Sequence, residues 1–187
     1  PRGFDQRNLS MTKSLADITQ INYRYQRSAR IDHDNSIENI QTFIVHETAK
    51  STLKRILEDN GNQNTFTITG PYGGGKSSLA LFLTALFDGD NKVKKFARNQ
   101  LSEFLDLKKT NIINTSNTLV VKVVGQKSNP VEDLKKSLKH AVNGFKWKKA
   151  APKILKPNTD RALIESLNNI FNSLKSQNSS LVLIIDE

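Results

Sequence analysis

The chain has 187 residues, 36% of them hydrophobic, so it is long enough to bury the core of one domain with or without an appendage. It contains no cysteine, which excludes disulfides and thiolate metal sites, and its net charge of +10 favours polyanionic partners. No apolar run approaches the roughly 20 residues of a transmembrane helix, and the amino terminus lacks the apolar block of a secretory signal. We therefore expect a cytoplasmic protein without a structural zinc.

The first 36 residues are polar and predict an arm or leader ahead of the main domain. The segment 23–32 interleaves two tyrosines with arginines at every third residue, a spacing that a helix would group on one side. A solvated or packing role is the first interpretation of these arginines. Contact with a phosphate or a partner is the alternative.

Beyond the arm, helix patterns alternate with strand patterns. Helices are predicted over 35–59, 77–88, 91–107, 129–145 and 159–177, and strands over 65–69 ("TFTIT"), 118–125 ("TLVVKVVG") and 179–187 ("SSLVLIIDE"). Such alternation is typical of a parallel α/β sheet whose crossover helices cover both faces. The prediction is one α/β domain over 37–187.

The stretch "GPYGGGKSS" lies between the predicted strand 65–69 and the helix that follows it. Gly70, Gly75, Lys76 and Ser77 fit the pattern G-x-x-x-x-G-K-[ST] in the context that the pattern requires. Glycines allow the backbone N–H groups to turn inward and, with the helix amino terminus, to surround phosphates. We expect Lys76 to contact the β- and γ-phosphates and the Ser77 hydroxyl to bind Mg²⁺. The predicted nucleotide-binding residues are Gly70, Pro71, Tyr72, Gly73, Gly74, Gly75, Lys76, Ser77 and Ser78.

The last predicted strand ends in two carboxylates. Asp186 is predicted to hold Mg²⁺ through water, and Glu187 to act as the general base that polarises the attacking water. With Lys76, Glu187 forms the predicted catalytic pair, and ATP with Mg²⁺ is the expected ligand.

The pair "GPYGGGKS" and "LVLIIDE" resembles the Walker A and Walker B motifs of the P-loop NTPases. The glutamate after the Walker B aspartate resembles the additional-strand branch, and the segment preceding the loop resembles the entrance of AAA+ and STAND modules. His46 stands where those families usually carry glycine. The resemblance implies a P-loop three-layer sandwich with a parallel sheet.

The order of strands in the sheet of additional-strand ATPases also implies that a fourth strand lies between the Walker A and Walker B strands. We therefore expect the sheet to be incomplete in this chain, which would be a fragment of a longer ATPase that folds poorly and is inactive alone. The competing order, found in kinase and GTPase branches, places the two Walker strands side by side.

A segment near 127–157 is predicted to be an insertion, because the chain between the two motifs is longer than one strand and its crossovers require. The segment is basic, with nine lysines and only two carboxylates between Lys127 and Lys156. Lys146, Trp147, Lys148 and Lys149 are candidate nucleic-acid contacts, since aromatic rings between cations can stack on bases. The alternative is a solvated face whose aromatic residues anchor it to the core.

Two functions follow from the resemblance. The first is an ATP-hydrolysing motor or remodeller, a homo-oligomer when complete, acting on nucleic acid or a protein complex. The alternative is a STAND-like signalling switch with slow hydrolysis. A P-loop kinase is disfavoured, because Glu187 suits activation of water better than binding of an acceptor.

Overall fold

The computed structural model describes residues 14, 15, 19, 29–58, 63–88, 90–110, 117–125, 129–148, 150–152 and 159–186. The helices are α1 (Ile37–Ile40), α2 (Glu47–Leu57), α3 (Lys76–Asp88), α4 (Asn91–Ser102), α5 (Pro130–Gly144) and α6 (Asp160–Lys175), and a 3₁₀ helix spans Leu107–Lys109. The strands are β1 (Thr118–Val124) and β2 (Ser180–Asp186).

The two strands form a parallel sheet in which Thr118 is paired with Ser180 and Val124 with Asp186. Alternate side chains of β1 point to opposite faces. Leu119, Val121 and Val123 pack against α5 and α6, whereas α3 contacts both strands and packs against Ile184 of β2. Helices therefore cover both faces, and the predicted α/β P-loop architecture with a parallel sheet is confirmed.

Side-chain capping explains where several helices begin. The Asp90 carboxylate accepts hydrogen bonds from the N–H groups of Lys92 and Val93 at the start of α4. Asn129 caps α5 ahead of Pro130, which needs no backbone donor at that position. His46 caps α2 by accepting a hydrogen bond from the Ala49 N–H.

Helix α3 is apolar on nearly every side, as its sequence predicts, and all residues from Leu79 to Leu86 are buried. One side packs against α1, α2 and α4 in a cluster centred on Phe82 and Leu86. Another side packs against Ile31, which is fully buried just before α1. This burial fixes the position of the helix and of the loop that precedes it.

The predicted strand 65–69 is wrong. Within the described part of the chain these residues form no strand and no backbone–backbone hydrogen bond with another segment, and most of them are exposed. A strand pattern reports side-chain preferences, but a strand exists only where a neighbour supplies ladder hydrogen bonds. Since 65–69 and β2 do not pair in the described structure, the predicted order of the Walker strands stays a prediction.

The predicted helix 91–107 ends early, at Ser102. Leu105 still continues the buried spacing of Val93, Ala97 and Leu101, but the backbone there forms a turn. The Asp106 carboxylate then accepts the Lys108 N–H and starts the 3₁₀ helix. This side-chain cap competes with continuation of α4, which explains why the helix ends earlier than predicted.

None of the helices in the described ranges is both long and apolar enough to cross a membrane.

Candidate functional site

The loop between residue 69 and α3 is open to solvent, and glycine is required at two of its positions. Gly73 and Gly75 have φ angles of 77° and 79°, a region that residues with a Cβ atom rarely adopt. The Gly74 N–H donates to the Pro71 carbonyl at 3.1 Å, which closes a tight turn. A Cβ atom on Gly74 would lie 3.0 Å from that same carbonyl oxygen, so the turn also restricts the middle glycine.

Helix α3 begins directly after the loop, at Lys76. The first helical hydrogen bond runs from the Leu79 N–H to the Gly75 carbonyl at 2.9 Å. The N–H groups ahead of Leu79 lack partners within the helix, and the helix dipole adds partial positive charge at this end. Such a terminus, following a glycine-rich loop, is suited to binding phosphate.

The Lys76 side chain folds back across the loop. Its Nζ donates to the carbonyl oxygens of Gly70 at 3.1 Å and of Pro71 at 3.0 Å. The ammonium group therefore lies against the loop carbonyls in a solvent-exposed position. The sequence motif predicts a lysine here, but it gives no signal for these two carbonyl contacts.

The structure brings Ser77 and Asp186 together although they are 109 positions apart. The Ser77 hydroxyl donates to Asp186 Oδ1 at 3.2 Å, and both residues are partly buried. Asp186 is the last residue of β2, where its carbonyl accepts the Gly125 N–H and its Cα is in register with Val124. The ladder to β1 therefore positions the carboxylate beside the start of α3.

These two oxygen ligands fit a magnesium ion. Mg²⁺ prefers oxygen donors and commonly uses one or two protein ligands, with waters and substrate phosphates completing an octahedron. The hydroxyl of Ser77 and the carboxylate of Asp186 supply such a pair next to the phosphate-binding loop. Among the described residues, no group of three or more His, Asp or Glu side chains forms an alternative metal cluster.

The remaining predicted residues divide into three groups. Tyr72 is 98% exposed at the tip of the loop, and Ser78 is partly buried in the first turn of α3. Glu187 and Lys149 lie outside the described residues. The third group comprises Lys146, Trp147 and Lys148 of the basic segment.

The aromatic residues of the basic segment face the protein interior. The Trp147 indole N–H donates to the Val142 carbonyl at 2.9 Å, and its ring meets Phe145 edge-on at 4.8 Å between centroids. Both rings pack against the core formed by β1, α5 and α6. Lys148 bonds to Gln177 through its N–H and its Nζ. These contacts favour the alternative in which the aromatic residues anchor the segment, and Lys146 remains exposed.

A glycine-rich loop entering a buried helix, with a serine hydroxyl bonded to the aspartate at the end of a parallel strand, defines a nucleotide-binding P-loop NTPase domain. Residues 33–187 match the model of the KAP family P-loop domain, so the chain belongs to that family. No curated protein and no solved structure shows significant similarity to the chain. Assignment to the AAA+ or STAND branch stays a prediction.

Proposed function

We propose that this domain binds ATP with Mg²⁺ and hydrolyses it, within a larger oligomeric motor or remodeller. The 3.2 Å hydrogen bond between Ser77 and Asp186 carries the proposal. It joins the end of the phosphate-binding motif to the carboxylate of a distant strand. A glycine turn with a purely structural role would not require this contact.

The loop and α3 would hold the phosphates. The positive φ angles of Gly73 and Gly75 allow the loop to curve without side-chain clashes. Its exposed backbone gives the phosphates access from solvent, and the amino terminus of α3 supplies further N–H donors.

Lys76 would exchange its partners when nucleotide binds. Its Nζ now donates to two neutral carbonyl oxygens, at Gly70 and Pro71. Phosphate oxygens are charged acceptors, and hydrogen bonds between ionised groups are stronger than those to neutral ones. The ammonium group therefore has a reason to leave the loop carbonyls for the β- and γ-phosphates.

Ser77 and Asp186 would hold the magnesium ion, which when bound neutralises negative charge on the phosphate oxygens. Glu187, next to Asp186 in the sequence, is assigned as the general base that accepts a proton from the attacking water. Lys76 would stabilise the charge that develops on the transferred phosphoryl group. Together these three roles describe hydrolysis of ATP to ADP and phosphate.

The net charge of +10 supports a polyanionic working partner, which favours a motor or remodeller acting on nucleic acid. Stimulation of ATP turnover by a polynucleotide would support this function. Nucleotide-dependent assembly with little turnover would instead favour the STAND-like switch.

The decisive experiment is nucleotide binding by Lys76→Ala, measured calorimetrically with ATP and Mg²⁺. We expect an affinity loss of about 10- to 100-fold, because a charge-assisted hydrogen bond contributes about 1.5–3 kcal/mol. Lys54→Ala is the matched control, since Lys54 is an exposed lysine on α2 far along the chain from the loop. Unchanged affinity in Lys76→Ala would contradict the assigned role of the lysine.

A further inference from the structure

A second cavity lies beside the amino-terminal half of β1, and the nucleotide site does not account for it. Its volume is about 520 Å³, within the range of ligand-binding pockets. Helix α5 forms one wall, and the carboxyl end of α3 with α4 forms another. Because α3 has 13 residues, its carboxyl end is about 18 Å from the phosphate-binding end. We call this cavity the basic groove.

Lysine and histidine side chains line the basic groove. The lysines come from α4, β1, α5 and the turn after α5, and two histidines lie with them. They are Lys94, Lys122, Lys136, Lys146, His33 and His140. Only two carboxylates, Asp32 and Asp88, line the same cavity.

Both carboxylates are already paired. Asp88 accepts from Lys122 Nζ at 2.8 Å, and Asp32 is bound by Arg30 at 2.7 Å and lies 3.2 Å from His33 Nε2. Partial burial alone would raise the pKa of Asp32, but hydrogen bonds from Arg30 and its own backbone, with the Arg30 and His33 charges, lower the pKa overall. Asp32 therefore stays ionised and engaged with Arg30.

Three lysines remain to attract an external anion. Lys94 and Lys146 form no ion pair within the described part of the chain, and Lys136 lies 4.0 Å from Asp133 with its side chain 76% exposed. These three residues lie on different elements around the cavity. Their charges are thus distributed around its mouth, which suits a ligand with several anionic groups more than a single phosphate.

The lining of the basic groove is partly apolar. Leu119 and Val120 of β1 line it but are buried, whereas Phe87, Ala141 and Phe145 are partly exposed. Apolar side chains among lysines suit a polymer that carries both bases and phosphates. A single strand presents its bases to such a surface, whereas a duplex keeps them paired and stacked inside.

We propose that the basic groove binds single-stranded nucleic acid, with Lys94, Lys136 and Lys146 contacting backbone phosphates. This inference rests on the proposed function in that it names the polymer on which the ATPase acts and the place where the polymer binds. Binding at this groove depends on charge and is largely independent of base sequence, since lysine ammonium groups are point charges.

The test is fluorescence anisotropy of a labelled oligothymidine of about 16 nucleotides with the full chain, over a series of salt concentrations. In the groove variant, Lys94→Gln, Lys136→Gln and Lys146→Gln are combined. We expect an affinity loss of about tenfold or more, and a decrease of about 2 in the slope of log affinity against log salt, since each lost contact to a single strand removes about 0.7. Lys122 is left unchanged because it pairs with Asp88.

The control variant combines Lys54→Gln, Lys108→Gln and Lys175→Gln, which removes the same charge from exposed lysines outside the groove. An unchanged affinity in this control supports the groove. An equal loss in both variants would show that total charge, and not the groove, drives binding. Absence of oligonucleotide binding by the parent, or competition by polyglutamate at equal charge concentration, would also overturn the proposal.

Nucleotide binding by the same variants separates this inference from the proposed function. The groove variant should bind ATP with the parent's affinity and melt at the parent's temperature by circular dichroism. Oligonucleotide binding without ATP binding would overturn the proposed function and leave the groove supported. ATP binding without any oligonucleotide binding would overturn the groove alone.

Discussion

Two segments deliver residues to the nucleotide site, and the structure holds them in different ways. Strand β2 leads to Asp186 and is paired along its whole length with β1. Residues 65–69 lead to the glycine loop and form no ladder within the described structure. Both segments are rich in β-branched or large apolar residues, so local propensity does not separate them.

The difference shows that the two halves of the site depend on different packing. The carboxylate half depends on the sheet, because the Gly125 N–H and the register with Val124 fix the backbone of Asp186. The loop half depends on α3, whose buried residues hold the amino terminus in place while the preceding segment is exposed. Substitutions that act on one half and spare the other can test this division.

The largest expected effect concerns the chemistry at the end of β2. Within the larger protein proposed above, Glu187→Gln should reduce ATP turnover by about 100- to 10,000-fold, because an amide cannot accept the proton of the attacking water. Binding of ATP should be retained, since the loop and the Ser77–Asp186 pair are unchanged. Steady-state turnover and calorimetric binding on the same sample measure both quantities. Equal turnover in variant and parent would remove the assignment of Glu187 as the base.

A second effect compares the packing of the sheet, tested at β1, with the packing of residues 65–69. Leu119 is 2% exposed in β1, so Leu119→Ala should lower the free energy of unfolding by about 2–5 kcal/mol. Ile68 is 38% exposed, so Ile68→Ala should cost less than about 1 kcal/mol. Chemical denaturation followed by circular dichroism gives both values. Similar costs would mean that 65–69 is packed in solution as firmly as β1.

Sequence patterns predicted most of the elements that are present, because burial on helical or strand spacing is a local signal. The single predicted helix 35–59 is wrong, since α1 and α2 are separated by the non-helical residues 41–46. The bounds of α3, α5, β1 and β2 agree with those predictions to within a few residues. The failure at 65–69 has a non-local cause, since no pattern within five residues reports whether a neighbouring strand supplies hydrogen bonds. The early end of α4 depends on the Asp106 cap, which apolar spacing does not reveal.

In the candidate site, too, local sequence patterns predicted residue types but did not reveal contacts between distant segments. The motif located Lys76 and Ser77 because each phosphate contact requires a fixed residue type at a fixed spacing. The proximity of Ser77 to Asp186 was expected because both motifs assign their residues to one magnesium ion, although the predicted strand 65–69 is absent from the described structure. The basic groove had no sequence signal beyond excess lysine, because Lys94 and Lys136 converge only through the packing of α4 on α3 and of α5 on β1.

The smallest expected effect tests whether the two halves of the site act as one unit, through a double-mutant cycle on Ser77 and Asp186. If both residues hold the same magnesium ion, Ser77→Ala and Asp186→Asn should each weaken ATP binding about tenfold in Mg²⁺. The double variant should then lose little more than either single variant, a coupling of about 1.4 kcal/mol.

Two controls make the cycle specific for the metal. In excess chelator, all three variants should bind ATP as the parent does under the same conditions, because the shared ligand is then absent. Ser78→Ala should leave affinity unchanged in Mg²⁺, since Ser78 is the neighbouring serine in the same first turn of α3. Strictly additive losses in the cycle would mean that Ser77 and Asp186 act separately, and the 3.2 Å contact would then be a structural hydrogen bond alone.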